Sequence, residues 1–277
     1  MKASILNTEG KETKQIDLPS CFNDEVRYDL IKRAYEVENR AMRQAYGNYI
    51  WAGMQHVAQG SISHRRRKYK TGYGYTMART PRKVMSRHHG RFNWRGAEVA
   101  GTVGGRESHP PITDKNWIRK INKKERARAV RAALAATANM NELLKKYSLL
   151  NEEKEKIKNM HLPIIIESSI ENIKKTKELK EILEKVLGLL AKVAFRQRKT
   201  RAGKGKTRGR YHKVPRGMLL ISEKKIDAAK GLEGQGFDNI LAGSLSIEQL
   251  APSGIPGRLV VYTENAINTI KNNEKLK

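Results

Sequence analysis

Apolar positions change their spacing several times along the chain, and each change marks an element. Residues 2–7 and 13–18 read as two short strands around Glu9-Gly10-Lys11, a hairpin signal. Asn23 or Asp24 is placed to cap a helix. Val26, Leu30, Ala34, Val37 and Ala41 then recur at helical spacing, and Gly47 marks the end. From Gly60 to Pro111 no period survives: glycines and prolines interrupt any regular element. Helix returns near Asn122, with Ala127, Val130, Leu134 and Thr137 on one face and Arg126, Arg128 and Arg131 mostly on another.

Beyond a charged stretch at 141–160, strand and helix alternate. Leu162–Glu167, Met218–Ser222, Asn239–Ala242 and Arg258–Tyr262 read as strands. Segments 170–187, 223–230, 246–250 and 264–272 read as helices. Continuously apolar strands alternating with helices predict an α/β fold, a mostly parallel sheet with helices on both faces. The chain reads as a single α/β globular domain over 1–277, interrupted by two basic insertions at 60–110 and 196–216.

Charge sharpens that division. The net charge of +28 comes from 56 Lys+Arg against 28 Asp+Glu. Segment 60–110 holds 12 basic and 2 acidic side chains, and 196–216 holds 10 basic and none acidic. Segment 111–131 adds 8 basic against 2 acidic, while 1–59 and 217–277 are neutral. A neutral body with cationic arms is the footprint of a protein that meets a polyanion. Segment 60–110 contains no Leu and eight glycines, too little apolar surface to offset its own ordering entropy. Folded back on itself it extends roughly 80 Å at most, against a radius of gyration near 17 Å for the rest. Such an arm suits a folded RNA with deep crevices.

The first arm mixes cations with flat side chains. Arg65, Arg66, Arg67, Lys68, Lys70, Arg79, Arg82, Lys83, Arg87, Arg91, Arg95, Arg106 and His109 are candidate phosphate contacts. Tyr73, Tyr75, Phe92 and Trp94 are candidates to stack on unpaired bases. In the second arm the candidates are Arg196, Arg198, Lys199, Arg201, Lys204, Lys206, Arg208, Arg210, Lys213 and Arg216, and Arg126 joins them from the body. Ten cations without an acid repel one another, which predicts an extended loop until an anion satisfies it.

Other chemistry is poorly supported. Gly205-Lys206-Thr207 resembles a phosphate loop, but Thr200 stands where that motif needs glycine. Cys21 is the single cysteine, so an internal disulfide or a zinc site needing two or more thiolates is excluded. His64, His88, His89 and His109 have only Glu98 and Glu107 as acidic company in the arm, and neither a metal nor a cofactor is expected. No carboxylate cluster suggests a nuclease, and no catalytic residue is assigned. The absence of a long apolar run predicts no secretory signal, no membrane partner and a cytoplasmic protein.

Four stretches resemble a known family. They are Gly104-Gly-Arg-Glu-Ser-His-Pro-Pro111, the helix from Lys124 to Thr137, Lys204-Gly-Lys-Thr-Arg-Gly-Arg210, and Ala251-Pro-Ser-Gly-Ile-Pro-Gly-Arg-Leu-Val-Val-Tyr-Thr-Glu264. Together they make the chain similar to the large-subunit ribosomal protein L-four family, in its archaeal rather than eukaryotic form. The resemblance implies a structural constituent of the large ribosomal subunit that binds large-subunit rRNA early in assembly. It implies neighbouring ribosomal proteins as partners, including L-twenty-two at a constriction of the polypeptide exit tunnel, and contact with the nascent polypeptide. It places the tip of the first arm within about Met85–Val103. The alternatives from the residues alone are an RNA-binding assembly factor and an RNA-processing enzyme using His88 or His89.

Overall fold

Residues 164–166, 219–222 and 260–263 are buried at every position, which is what a strand covered on both faces requires. A computed structural model describes residues 1–58, 80–89, 91–158 and 160–273. In chain order its first part runs β1 (Lys2–Leu6), β2 (Glu12–Asp17), α1 (Tyr28–Ala41), β3 (Arg82–His88), β4 (Arg91–Gly96) and α2 (Lys123–Thr137). Then come α3 (Met140–Lys146), α4 (Lys154–Lys158), β5 (Ile164–Ile166), α5 (Thr176–Leu187) and α6 (Ala191–Ala194). The last part is β6 (Lys199–Thr200), β7 (His212–Lys213), β8 (Leu219–Ser222), β9 (Asp238–Leu241), α7 (Ile247–Leu250), β10 (Val260–Thr263) and α8 (Glu264–Asn272). Short 3-10 turns join several of these.

The chain divides into two compact units. One comprises residues 1–42 and 118–277, the other Arg43–Trp117. The first is an α/β body around a six-stranded sheet in the order β2-β1-β5-β10-β8-β9. Only the β1–β2 hairpin is antiparallel; the other pairings are parallel.

Successive strand residues point into different cores. Ile5, Ile165, Leu219, Ile221, Val260 and Tyr262 pack with Phe22 and with Ile31 of α1, Leu134 of α2 and Ile267 of α8. Ile164, Ile166, Leu220 and Val261 pack with Leu143 of α3, Leu183 of α5 and Val193 of α6. This period-two split between two apolar clusters is the expected helix cover on both faces. The second half of α2, from Ala132 to Thr137, is buried all round, and its small alanines let neighbouring backbones approach closely. At its end Thr137 Oγ1 and the Tyr262 hydroxyl lie 2.8 Å apart, giving two buried polar groups a partner.

Some boundaries depart from the sequence reading. Neither Asn23 nor Asp24 caps α1: a 3-10 turn occupies Ser20–Asn23, and the helix starts at Tyr28. Asp24 is engaged instead by Arg131 of α2, whose Nε donates to Asp24 Oδ2 at 2.6 Å. The helix expected over 170–187 is a 3-10 turn at Ser168–Asn172 followed by α5.

Within the second unit, β3 and β4 form a two-stranded antiparallel ribbon where no regular element was expected. Residues 43–58 fold onto 105–117: Asn48 N–H donates to the Pro111 carbonyl at 3.3 Å. Gly53, at φ +79°, lies so close to Gly105 that a Cβ would sit 2.5 Å from its carbonyl carbon and oxygen. Only glycine fits that contact.

Candidate nucleic-acid interface

The ribbon sorts its side chains by alternation. Register pairs Lys83 with Arg95, Val84 with Trp94, Ser86 with Asn93, Arg87 with Phe92 and His88 with Arg91, and Met85 is the extra residue of a bulge. One side therefore carries Lys83, Arg95, His88 and Arg91. Lys83 and Arg95 stand directly opposite each other and repel, so this side stores unfavourable charge that an anion relieves. The other side carries the flat groups: the Phe92 and Trp94 rings lie 5.4 Å apart, and the Arg87 guanidinium sits 5.4 Å from the Phe92 ring centre. Arg82 lies on this side and is engaged by other groups. Arg106 and His109 are exposed in the loop beyond. Arg65, Arg66, Arg67, Lys68, Lys70, Tyr73, Tyr75 and Arg79 lie outside the described residues.

The second arm is coiled rather than extended. β6 and β7 pair antiparallel, Lys199 opposite Lys213 and Thr200 opposite His212. Between them Arg208 and Arg210 donate backbone N–H to the Gly205 carbonyl at 3.2 and 3.0 Å, and Thr207 Oγ1 donates to the Lys204 carbonyl at 2.8 Å. Backbone hydrogen bonds thus outweigh self-repulsion, because the side-chain charges project outward into water. Arg198, Lys199, Lys204, Lys206, Arg208, Arg210 and Lys213 are all exposed. Among the described residues none of these seven has an ion pair. Arg196 and Arg201 are partly buried, and Arg201 Nε donates to the His212 carbonyl at 3.2 Å.

The arm leaves and rejoins the body at one place. Met218 N–H donates to the Ala194 carbonyl at 3.3 Å, Gly217 N–H to the Gly236 carbonyl at 2.8 Å, and Arg196 N–H to the Gln235 carbonyl at 2.8 Å. Gly236 has φ +84°, and a Cβ there would stand 2.4 Å from the Pro215 carbonyl oxygen. Beneath this junction lies Arg258, entirely buried. Its Nε donates to the Gly217 carbonyl at 2.9 Å, Nη1 to the Gln249 carbonyl at 2.8 Å, and Nη2 to the Met218 carbonyl at 3.2 Å. Nη2 also reaches Asp238 Oδ2. The same carboxylate oxygen accepts from Arg216 Nη1 at 2.9 Å, and Arg216 Nη2 lies 3.6 Å from Glu248. Burial pulls the Arg258 pKa below its usual range, and Asp238 opposes that shift. Burial, with Arg258 adding its own charge, pushes Lys146 down to about 7.

Arg126 is likewise engaged: its Nη2 donates to Glu38 Oε1 at 2.9 Å, and Glu38 Oε2 accepts from the Glu248 backbone N–H at 3.0 Å. Among the described residues, then, the candidate contacts Arg126 and Arg216 have carboxylate partners, whereas the outer cations of the second arm have none. Sequence reasoning missed Arg258, Asp238 and Glu38, whose partners lie 9 to 210 residues away. It also missed the aromatic run Tyr46-Gly-Asn-Tyr-Ile-Trp51, which sits in a neutral segment and so escaped a search guided by charge.

Among the described residues no group of His, Cys, Asp and Glu is arranged to hold a metal ion. No described helix is long and apolar enough to cross a membrane.

Comparison with known proteins gives one consistent result. Residues 16–273 match the ribosomal protein L4/L1 family. The chain is 35% identical to the large ribosomal subunit protein uL4 of Nanoarchaeum equitans over 98% of both chains. It is 38% identical to uL4 of Methanocaldococcus jannaschii, again over 98% of both, and 36% identical to uL4 of Archaeoglobus fulgidus over 96% of this chain and 97% of that one.

Proposed function

Because the chain belongs to the ribosomal protein L4/L1 family, we propose that it is a structural, non-enzymatic constituent of the large ribosomal subunit that holds large-subunit rRNA. The observation that carries this reading is the second arm. Seven exposed cations without carboxylate partners among the described residues are presented on a coil whose two ends are fixed to the body. A surface whose charge is left uncompensated on a fixed frame is prepared for phosphate, and little ordering entropy remains to oppose binding.

In finer detail, the second arm clamps phosphates beside the sheet, and segment 60–110 enters the RNA. On the family resemblance its tip reaches the wall of the exit tunnel, near L-twenty-two and the nascent polypeptide. Binding occurs early in assembly. The body, without the two insertions, folds as one α/β domain in the cytoplasm.

The test is binding of the full chain to large-subunit rRNA across a salt series. Neutralising many phosphates at once gives a steep fall of log affinity with log salt; a nearly flat dependence would overturn the reading. Retention on large subunits through a high-salt wash separates an integral component from an assembly factor, which washes off.

A further inference from the structure

Within the second unit, a cavity of about 640 Å³ is lined by Tyr46, residues 109–112, Asp114, Lys115 and Trp117. The Tyr46 and Trp117 rings are nearly parallel, 18° apart in tilt, with centres 6.4 Å apart. Two cations flank Trp117: the Arg43 guanidinium 4.0 Å and the Lys115 ammonium 4.6 Å from its ring centre. Arg43 also lies 5.5 Å from the Tyr46 ring centre. The Trp117 indole Nε1 is buried without a hydrogen-bond partner among the described residues. A buried donor left unpaired is unusual and calls for an explanation. Tyr46 is 51% exposed and Ile112 57% exposed, so the apolar lining opens to water.

We infer that this cavity takes an unpaired nucleotide of the bound RNA, its base against the Tyr46 and Trp117 rings and its phosphate beside Arg43 and Lys115. The inference rests on the RNA-binding reading above and adds a second kind of contact to it. The size is that of a small-ligand site. Flat apolar walls with a cationic rim match a ligand that is itself a flat ring next to an anion. Stacking accepts any base, because every base has a π-face. Asp114 is the one acid in the lining, an acceptor for ring or amino N–H groups of the base. A duplex keeps its bases stacked on each other and has none to offer, so the site selects a loop, bulge or end.

The experiment uses the full chain bound to large-subunit rRNA transcribed with 4-thiouridine, irradiated, and mapped by mass spectrometry. A crosslink within the peptides that carry Tyr46 or Trp117 is expected. Y46L and R43Q, both at exposed positions, should each weaken binding about tenfold, and a thermal melt of each variant separates lost binding from lost packing. Their salt slopes should differ, since only R43Q removes a charge. Wild-type protein that binds tightly but yields no such crosslink, with Y46L and R43Q binding as well as wild type, overturns the pocket and leaves the RNA-binding reading standing. Wild-type protein that does not bind the rRNA at all overturns both.

Discussion

Arg258, wholly shielded from water, donates from Nη2 to Asp238 Oδ2 over 2.5 Å. The pair lies under the root of the second arm, and the same guanidinium spans the Gly217, Met218 and Gln249 carbonyls. An arginine fork is suited to this task because its donors diverge in a fixed plane. Removing either partner breaks the fork. R258M leaves three carbonyls short of a donor, and D238N leaves a buried charge unpaired. Each should cost about 3–5 kcal/mol in urea unfolding. R216Q, which removes the half-exposed partner of the same carboxylate, should cost less than about 1 kcal/mol. Equal losses from all three would show that the buried fork has no special place.

Glycine at 236 is required twice over, by its φ of +84° and by the approach of the Pro215 carbonyl. G236A should lose about 2 kcal/mol or more and loosen the arm root. Two residues earlier, Gly234 has open space around it, and G234A should stay within about 0.5 kcal/mol of wild type. Paired thermal melts decide between them.

Lys146 makes stability depend on pH in a stated direction. Its amine is held at about 7 in the folded chain against 10.5 ordinarily. Between these values the unfolded chain binds the extra proton, so stability rises with pH. Below about pH 7 both states carry the charge and the full penalty is present. The midpoint of urea unfolding should therefore climb from pH 7 to 9.5 in wild type and lose that climb in K146M. The same climb in both would mean that Lys146 does not titrate in this window.

Neutralising Lys204, Lys206, Arg208 and Arg210 together, each to Gln, should weaken rRNA binding and lower the steepness of the log–log salt dependence by roughly three. R126Q, whose parent side chain is committed to Glu38, should change that slope by clearly less than one.

Reversing charge at Lys83 tests the ribbon. K83E puts a carboxylate opposite Arg95, turning a repulsive pair into an attractive one. RNA affinity should fall while the isolated protein keeps or slightly gains protection from amide exchange over β3 and β4. Unchanged affinity would remove the cationic side of the ribbon from the interface.

What the sequence disclosed follows from how local each cause is. β5, β8 and β10 were legible because a doubly covered strand must be apolar at each position, as Ile164–Ile166 shows. The start of helix α8 was legible because Thr263 caps it in place: its hydroxyl accepts the Ala266 N–H at 3.3 Å. The start of α1 was misread because Asp24 spends its carboxylate on Arg131, 107 residues away. The ribbon was invisible since Phe92 and Trp94 alternate with cations and not within an aliphatic run. In the site, the candidate cations could be named from composition. Which of them are neutralised at home could not, because Asp238 and Glu38 arrive from other elements.

The hydrogen bond from Met218 to Ala194 closes a ring of chain around the whole second arm. Closing a loop costs entropy that grows only with the logarithm of its length. Trimming this arm from 21 residues to about five would return only about 1 kcal/mol. The body therefore carries a small, nearly length-independent burden for displaying the arm. Insertions or deletions near its tip should pass unnoticed by the sheet, and the arm can be matched to the contour of its RNA without redesign of the fold that holds it.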